Sequence, residues 1–257
     1  MNTQIKVGLV SDLHLEFGKS YMPKFSEDCD FIVLAGDINV GMESFKEAKW
    51  LSKTTGKKVV FVAGNHEFYH EDINDLTKKF KEMADLEENV FFLENDSLEF
   101  EIKGQKVRIL GCSLWTDYKI LGVENQIGSM LLANKSMNDH NFIMNNKRMF
   151  TPYDAAELHN TSKEFLISNL NDPYDGITMV LTHHAPHMDF NPPNYRRGKM
   201  CGAFTSDLTD VIKTFQPDIW ICGHTHYNED FYIGKTRLIS NQMGYHGEPT
   251  TSNECWI

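Results

Sequence analysis

Residues 59 to 67 read Val59-Val60-Phe61-Val62-Ala63-Gly64-Asn65-His66-Glu67. The unbroken apolar run leaves no polar face, which is the pattern of a strand buried on both sides. It stops at a glycine and passes directly into an amide, an imidazole and a carboxylate, groups that bind metals and move protons. The same pattern recurs upstream, where 5–10 runs into Ser11-Asp12 and 31–35 into Gly36-Asp37. With helix-like stretches at 42–54 and 72–86, the first third reads as a βαβαβ unit whose parallel strands share one C-terminal side. Ligands gather on that side of α/β sheets.

The pattern returns in the last third. Residues 177–181 lead into Thr182-His183-His184 and 218–222 into Gly223-His224-Thr225-His226, with two more strand candidates at 230–233 and 236–240. Between these regions, 98–102 and 106–114 form a hairpin pattern around Gly104-Gln105, and 152–170 reads as an amphipathic helix with Leu158, Phe165 and Leu166 on its apolar side. The polar segment 117–151 has an excess of Asn and Met and little periodicity, so helices and loops are expected there. No repeat, Pro/Gly/Ser linker or low-complexity run interrupts the chain, and metal-capable residues come from both ends. One domain over 1–257 is the expectation.

At 257 residues, 41% hydrophobic, the chain can bury a sizeable core. Thirty-six acidic against 25 basic residues give a net charge of −11, which opposes sequence-independent grip on a polyanion and argues against long nucleic acid as a partner. Residues 1–8 carry no charged leader ahead of an apolar run, and no stretch approaches the ~20 apolar residues of a membrane span. A cytoplasmic protein with no membrane partner is expected. Five widely spaced cysteines without a CxxC pair point to reduced thiols, not to a disulfide framework or a thiolate zinc site.

In Asp12-Leu13-His14 and His224-Thr225-His226 the i, i+2 spacing lets two side chains turn toward one point in an extended segment. Carboxylate, amide and imidazole donors without thiolates suit Mn, Fe, Zn, Ni or Co. The ordered series Asp12-Leu13-His14, Gly36-Asp37, Gly64-Asn65-His66-Glu67, Thr182-His183 and Gly223-His224-Thr225-His226 resembles the calcineurin-like metallophosphoesterase family, with every motif element present across 12–226. That resemblance implies an α/β fold, a four-layer α/β/β/α sandwich of two facing mixed sheets flanked by helices. It also implies two divalent metal ions, Mn first and Fe, Zn, Ni, Co or Mg as alternatives. Asp12, His14 and His226 would hold one ion, Asn65, His183 and His224 the other, and Asp37 would bridge them.

The chemistry that follows is hydrolysis of a small phosphoester, diester or monoester. Two ions about 3.5 to 4 Å apart acidify a water that attacks phosphorus, while His66 gives a proton to the leaving group. The protein Ser/Thr phosphatases of this family carry an Asp-Arg-Gly segment soon after Gly-Asp, whereas this chain continues Ile38-Asn39-Val40-Gly41-Met42. The difference argues against a phosphoprotein substrate, favours a small nucleotide-type ester, and leaves His66 without an assigned partner.

Beside the motif residues, Asn191-Pro192-Pro193-Asn194-Tyr195-Arg196-Arg197-Gly198 begins close to His183. It either folds over the substrate, with Tyr195, Arg196 and Arg197 as substrate-binding candidates, or is solvated surface. Glu67 either orients a ligand from behind or caps its turn, and His184 is either a metal or phosphate partner beside His183 or points to the opposite face and packs. Two other readings are a non-catalytic scaffold of the same fold, which should have lost ligands, and a structural zinc site, which usually has four closed ligands rich in Cys.

Overall fold

A computed structural model describes residues 4–18, 22–248 and 254–256. Strands β1 (Lys6–Val10) and β2 (Phe31–Leu34) are parallel neighbours; after helix α1 (Met42–Thr55), β3 (Lys58–Phe61) adds in parallel. Helix α2 (Ile73–Ala84) then leads to a short parallel edge strand, β4 (Val90–Phe92). The strands alternate by face as the pleat requires. Val7, Leu9, Phe31, Val33 and Val60 point inward, toward a second sheet. Val10, Ile32, Leu34, Val59 and Phe61 point outward, where Phe45 and Leu51 of α1 and Leu76 and Phe80 of α2 cover them. With both faces covered, the strands carry no polar alternation, which is why they were legible as continuous apolar runs.

The second sheet starts with the hairpin of β5 (Asp96–Ile102) and β6 (Gln105–Cys112). Its turn residues Lys103 and Gly104 both have positive φ, 52° and 76°, the geometry that suits a two-residue connection between twisted strands. The polar middle segment folds into α3 (Gln126–Ser136), α4 (Asp139–Phe142) and a ribbon of β7 (Met144–Asn145) and β8 (Arg148–Met149). Helix α5 (Pro152–Asn171) follows, started by a reciprocal capping box between Thr151 and Asp154 with Pro152 in the first turn. Its expected apolar side is divided between two clusters. Leu158 packs against the cluster that contains Trp115 and Phe150, whereas Phe165 and Leu166 pack on the second sheet.

Strand β9 (Ile177–Thr182) pairs in parallel with β6, and after α6 (Thr209–Phe215), β10 (Ile219–Cys222) pairs in parallel with β9. Strands β11 (Asp230–Ile233) and β12 (Thr236–Ser240) complete the order β11-β12-β10-β9-β6-β5. Strand β13 (Glu254–Trp256) runs antiparallel to β1, so the first sheet reads β13-β1-β2-β3-β4. The two mixed sheets face each other across Val7, Leu9, Phe31, Ile109, Met179, Leu181 and Ile221, with helices outside both, the four-layer arrangement expected. Ser11, just past β1, bridges to Gln242 beyond β12 and joins the sheets at the end where the parallel strands finish. No helix among the described residues is long and apolar enough to cross a membrane.

Candidate metal centre and cleft

Each motif side chain stands in a turn at the C-terminal end of a parallel strand. Asp12 and His14 follow β1, Asp37 follows β2, Asn65 and His66 follow β3, His183 follows β9, and His224 and His226 follow β10. Asp12, His14, Asp37, His224 and His226 have positive φ, at 54°, 46°, 52°, 75° and 52°. For residues with a Cβ this backbone costs about 1 to 3 kcal/mol each and persists only where the surroundings enforce it. The enforcement is visible: Asp12 N donates to Gly36 O at 3.0 Å, His14 N to Asp37 O at 3.1 Å, and His226 N to Gln242 Oε1 at 2.6 Å.

The glycine before each of Asp37, Asn65 and His224 provides space. A Cβ on Gly36 would lie 2.5 Å from His183 Nδ1, one on Gly64 would run into Asp37 Oδ1, and one on Gly223 would lie 2.7 Å from Asp12 Oδ2. Glu67 then ties two strand ends together, accepting from Asp37 N at 2.9 Å, Ile38 N at 2.7 Å and Gly64 N at 2.7 Å. Burial, with the Asp37 carboxylate beside it, pushes the Glu67 carboxyl up to about 7 against the pull of these donors.

The eight motif side chains meet in one buried cluster. In one half, His14 Nε2 lies 3.0 Å from His226 Nε2, and His226 Nε2 lies 3.4 Å from Asp12 Oδ1. In the other, His183 Nε2 lies 3.1 Å from His224 Nδ1 and 3.2 Å from Asn65 Oδ1. Asp37 stands between them, Oδ1 at 3.5 Å from His183 Nε2 and Oδ2 at 3.8 Å from His14 Nε2.

These atoms fit divalent ions. His183 Nδ1 donates to the Ala35 carbonyl at 2.8 Å, so Nε2 presents a lone pair to the other electron-rich atoms around it. Lone pairs converging in a buried space are an arrangement that a cation relieves. Burial and the neighbouring histidines His184 and His183 hold the His224 imidazole well below its usual range, in the neutral form that ligates. Burial opposes the charge on Asp12, yet the hydrogen bond to His226 and the nearby histidines keep its carboxyl well below the usual carboxylate range. Two groups could therefore hold an ion each: Asp12, His14 and His226, and Asp37, His183 and His224 with the Asn65 amide oxygen.

Supporting residues come from places the motifs do not mark. Asp139 Oδ1 accepts from Asn65 Nδ2 at 2.8 Å and from the Tyr69 hydroxyl at 2.9 Å. Glu16 Oε1 lies 2.7 Å from His66 Nδ1, and Glu248 Oε2 lies 2.8 Å from His226 Nδ1. Burial disfavours a charged His66 ring, but Asp37 and Glu16 raise it to about 9. In the sequence Glu16 continues the i, i+2 series of Asp12 and His14, a signal that could have singled it out; Asp139 and Glu248 have no comparable signal.

A cleft of about 470 Å³ opens on this cluster, with Asp37, Asn65, His66, His224 and His226 in its lining. Met137, Pro192, Met200 and Phe204 supply apolar lining, Tyr195 and Tyr245 aromatic edges, and Ser136, Asn138 and Asn191 neutral polar groups. Tyr195 thus lines the cleft. Arg196 does not: it is tied into its own loop by Asp189 Oδ1 at 2.8 Å, Asp189 O at 2.9 Å and Asn191 O at 2.8 Å. Arg197 is exposed and outside the lining. His184 packs on His224 with ring centroids 4.1 Å apart and faces Ser113 O at 3.2 Å, while His187 caps Asp189 N.

Residues 5–228 match the family model described as calcineurin-like phosphoesterase. An uncharacterised protein of Acanthamoeba polyphaga mimivirus is 29% identical over 95% of this chain and 92% of its own length. Among solved structures, the phosphopantetheinyl hydrolase of Mycobacterium tuberculosis superimposes with a TM-score of 0.71 at 16% identity, covering 100% of this chain and 97% of that one. The anchor protein of the inner membrane complex of Plasmodium gives 0.51 at 11% identity, covering 98% and 78%. At these identities the two structures share the fold.

Proposed function

We propose, from the premise that this chain belongs to the calcineurin-like phosphoesterase family and is a metal-dependent phosphoesterase, that it hydrolyses a small phosphodiester or phosphomonoester, a nucleotide-type diester before others. The observation that carries the reading is the convergence of Asp12, His14, Asp37, Asn65, His183, His224 and His226 on one space, with His66 beside it at the cleft. Divalent ions held there would supply Lewis acidity, charge neutralisation and an acidified water, with Mn proposed first and Fe, Zn, Ni, Co or Mg as alternatives.

The side chains do the rest. Asp37, placed between the two groups, is the proposed bridge. Asn65 contributes a neutral oxygen, so the centre keeps positive charge for an anionic phosphate. His66 Nε2 lies 4.0 Å from Asp37 Oδ2, at the edge where a leaving oxygen would depart, and is the proposed general acid. Among the described residues the cleft lining includes no Lys or Arg, which suits an ester whose remaining substituent is uncharged better than a doubly charged monoester. Its aromatic edges and neutral donors offer stacking and hydrogen bonding of the kind a nucleobase uses. A single domain over 1–257 is supported by the centre drawing on both ends of the chain.

A non-catalytic scaffold or interaction module of this fold is the weaker reading, because such a protein has no need to retain the complete ligand set. Stripped protein tests the proposal: restoring Mn²⁺ or Zn²⁺ should restore hydrolysis of generic diesters and monoesters, with diesters favoured. No hydrolysis of either class would overturn it.

A further inference from the structure

We propose that Glu16, in the turn after β1, is the positioning residue for His66. The inference rests on the reading of His66 as the general acid. The His66 ring is flanked by Tyr69 and His14, with ring centroids 4.3 Å away in each case, so its plane is fixed by packing. What packing leaves open is which nitrogen carries hydrogen toward which side. Glu16 Oε1, 2.7 Å from Nδ1, settles it, because an ionised carboxylate only accepts. Nδ1–H is thereby committed to Glu16 and Nε2 is the atom turned toward Asp37 and the cleft.

The step this serves is balanced within the site. As a hydroxide oxygen forms its bond to phosphorus and the bond from phosphorus to the leaving oxygen breaks, the leaving oxygen takes the proton from His66 Nε2, so the products are an alcohol and a phosphate, and the ring remains as the neutral Nδ1–H form against Glu16. Glu16 also lies 3.3 Å from His14 Nδ1, a longer contact, so a test must separate action through His66 from action through His14.

Leaving-group dependence makes the separation, since a general acid matters for an alkoxide and little for an acidic phenol. In the Zn²⁺-loaded full chain, kcat/KM is measured on an alkyl and a 4-nitrophenyl diester for wild type, Glu16→Gln, His66→Ala and the double variant. Glu16→Gln should lose at least about tenfold more on the alkyl ester than on the nitrophenyl ester, a fraction of the 10²–10⁴ that general acids contribute. His66→Ala should show the same bias more strongly, and adding Glu16→Gln to it should cost no more than about twofold, the mark of two residues acting as one unit. Ring ¹⁵N shifts should show Nδ1 of His66 protonated in wild type and altered in Glu16→Gln.

Equal losses on both esters, or a full second loss in the His66→Ala background, would overturn the role of Glu16 while leaving His66 as the acid. Absence of leaving-group bias in His66→Ala would overturn the acid assignment itself, and Glu16's role with it.

Discussion

Asn65 Nδ2 donates to Asp139 Oδ1 at 2.8 Å, which turns the amide oxygen of Asn65 toward His183 Nε2, 3.2 Å away. A ligand amide can present either end, and Asp139 decides which. Replacing Asp139 with Ala leaves Asn65 Nδ2 only the longer contact to the Tyr69 hydroxyl, at 3.2 Å, to hold the amide. Partners of this kind typically contribute 10- to 100-fold in metal affinity, so Asp139→Ala should weaken one of two Mn²⁺ binding events by about that factor in calorimetric titration. Unchanged affinities would show that the amide is held by something else.

Glu67 is buried and its carboxylate receives three backbone N–H groups from two different strand ends. Glu67→Ala leaves all three without acceptors, at about 1 to 3 kcal/mol each when water cannot reach them. Urea unfolding should show a loss of at least about 3 kcal/mol. A loss under about 1 kcal/mol would mean that the turns relax and find other partners.

The strand ends were legible because each buried strand is an uninterrupted apolar run that stops at a polar cluster; Val59 to Asn65 displays the whole logic. The supporting network was not. Asp139 lies in a polar segment of helices and a short ribbon, and its tie to Asn65 spans 74 positions, a tertiary fact with no local periodicity. Strand β4 has three residues, too few to show alternation. By composition Arg196 fits either a phosphate contact or a solvated loop; its partner Asp189, seven residues earlier, engages it within the loop. The left-handed backbone at Asp12, His14, Asp37, His224 and His226 is imposed by surroundings assembled from distant strands, so residue type alone gives no warning of it.

Away from the centre, Asp154 caps α5 and pairs with Arg148 at 2.7 Å and 2.5 Å. Burial raises its carboxyl, but the Arg148 and Thr151 hydrogen bonds outweigh that and hold it at about 2. A depressed folded-state value means stabilisation that is complete above the unfolded value of 3.8 and lost as pH falls toward 2. Asp154→Asn should therefore cost about 1 kcal/mol near pH 6, and the gap from wild type should narrow between about pH 4 and pH 2. A gap independent of pH would remove the ionic part of the account.

Metal removal should destabilise the fold, because the lone pairs converging in the buried centre are relieved by an ion. Free metal at 100 times its Kd stabilises by about 2.7 kcal/mol, and a chain of this size shifts by about 2 to 4 °C per kcal/mol. Chelation should lower the melting temperature by roughly 5 to 10 °C, reversed by excess Mn²⁺. An identical melting curve with and without chelator would contradict a coupled centre.

The most direct measurement is anomalous diffraction from Mn²⁺-soaked crystals. The account predicts two anomalous peaks per chain, one among Asp12, His14 and His226, the other among Asn65, His183 and His224, with Asp37 touching both. A single peak, or manganese bound away from Asp37, would contradict it.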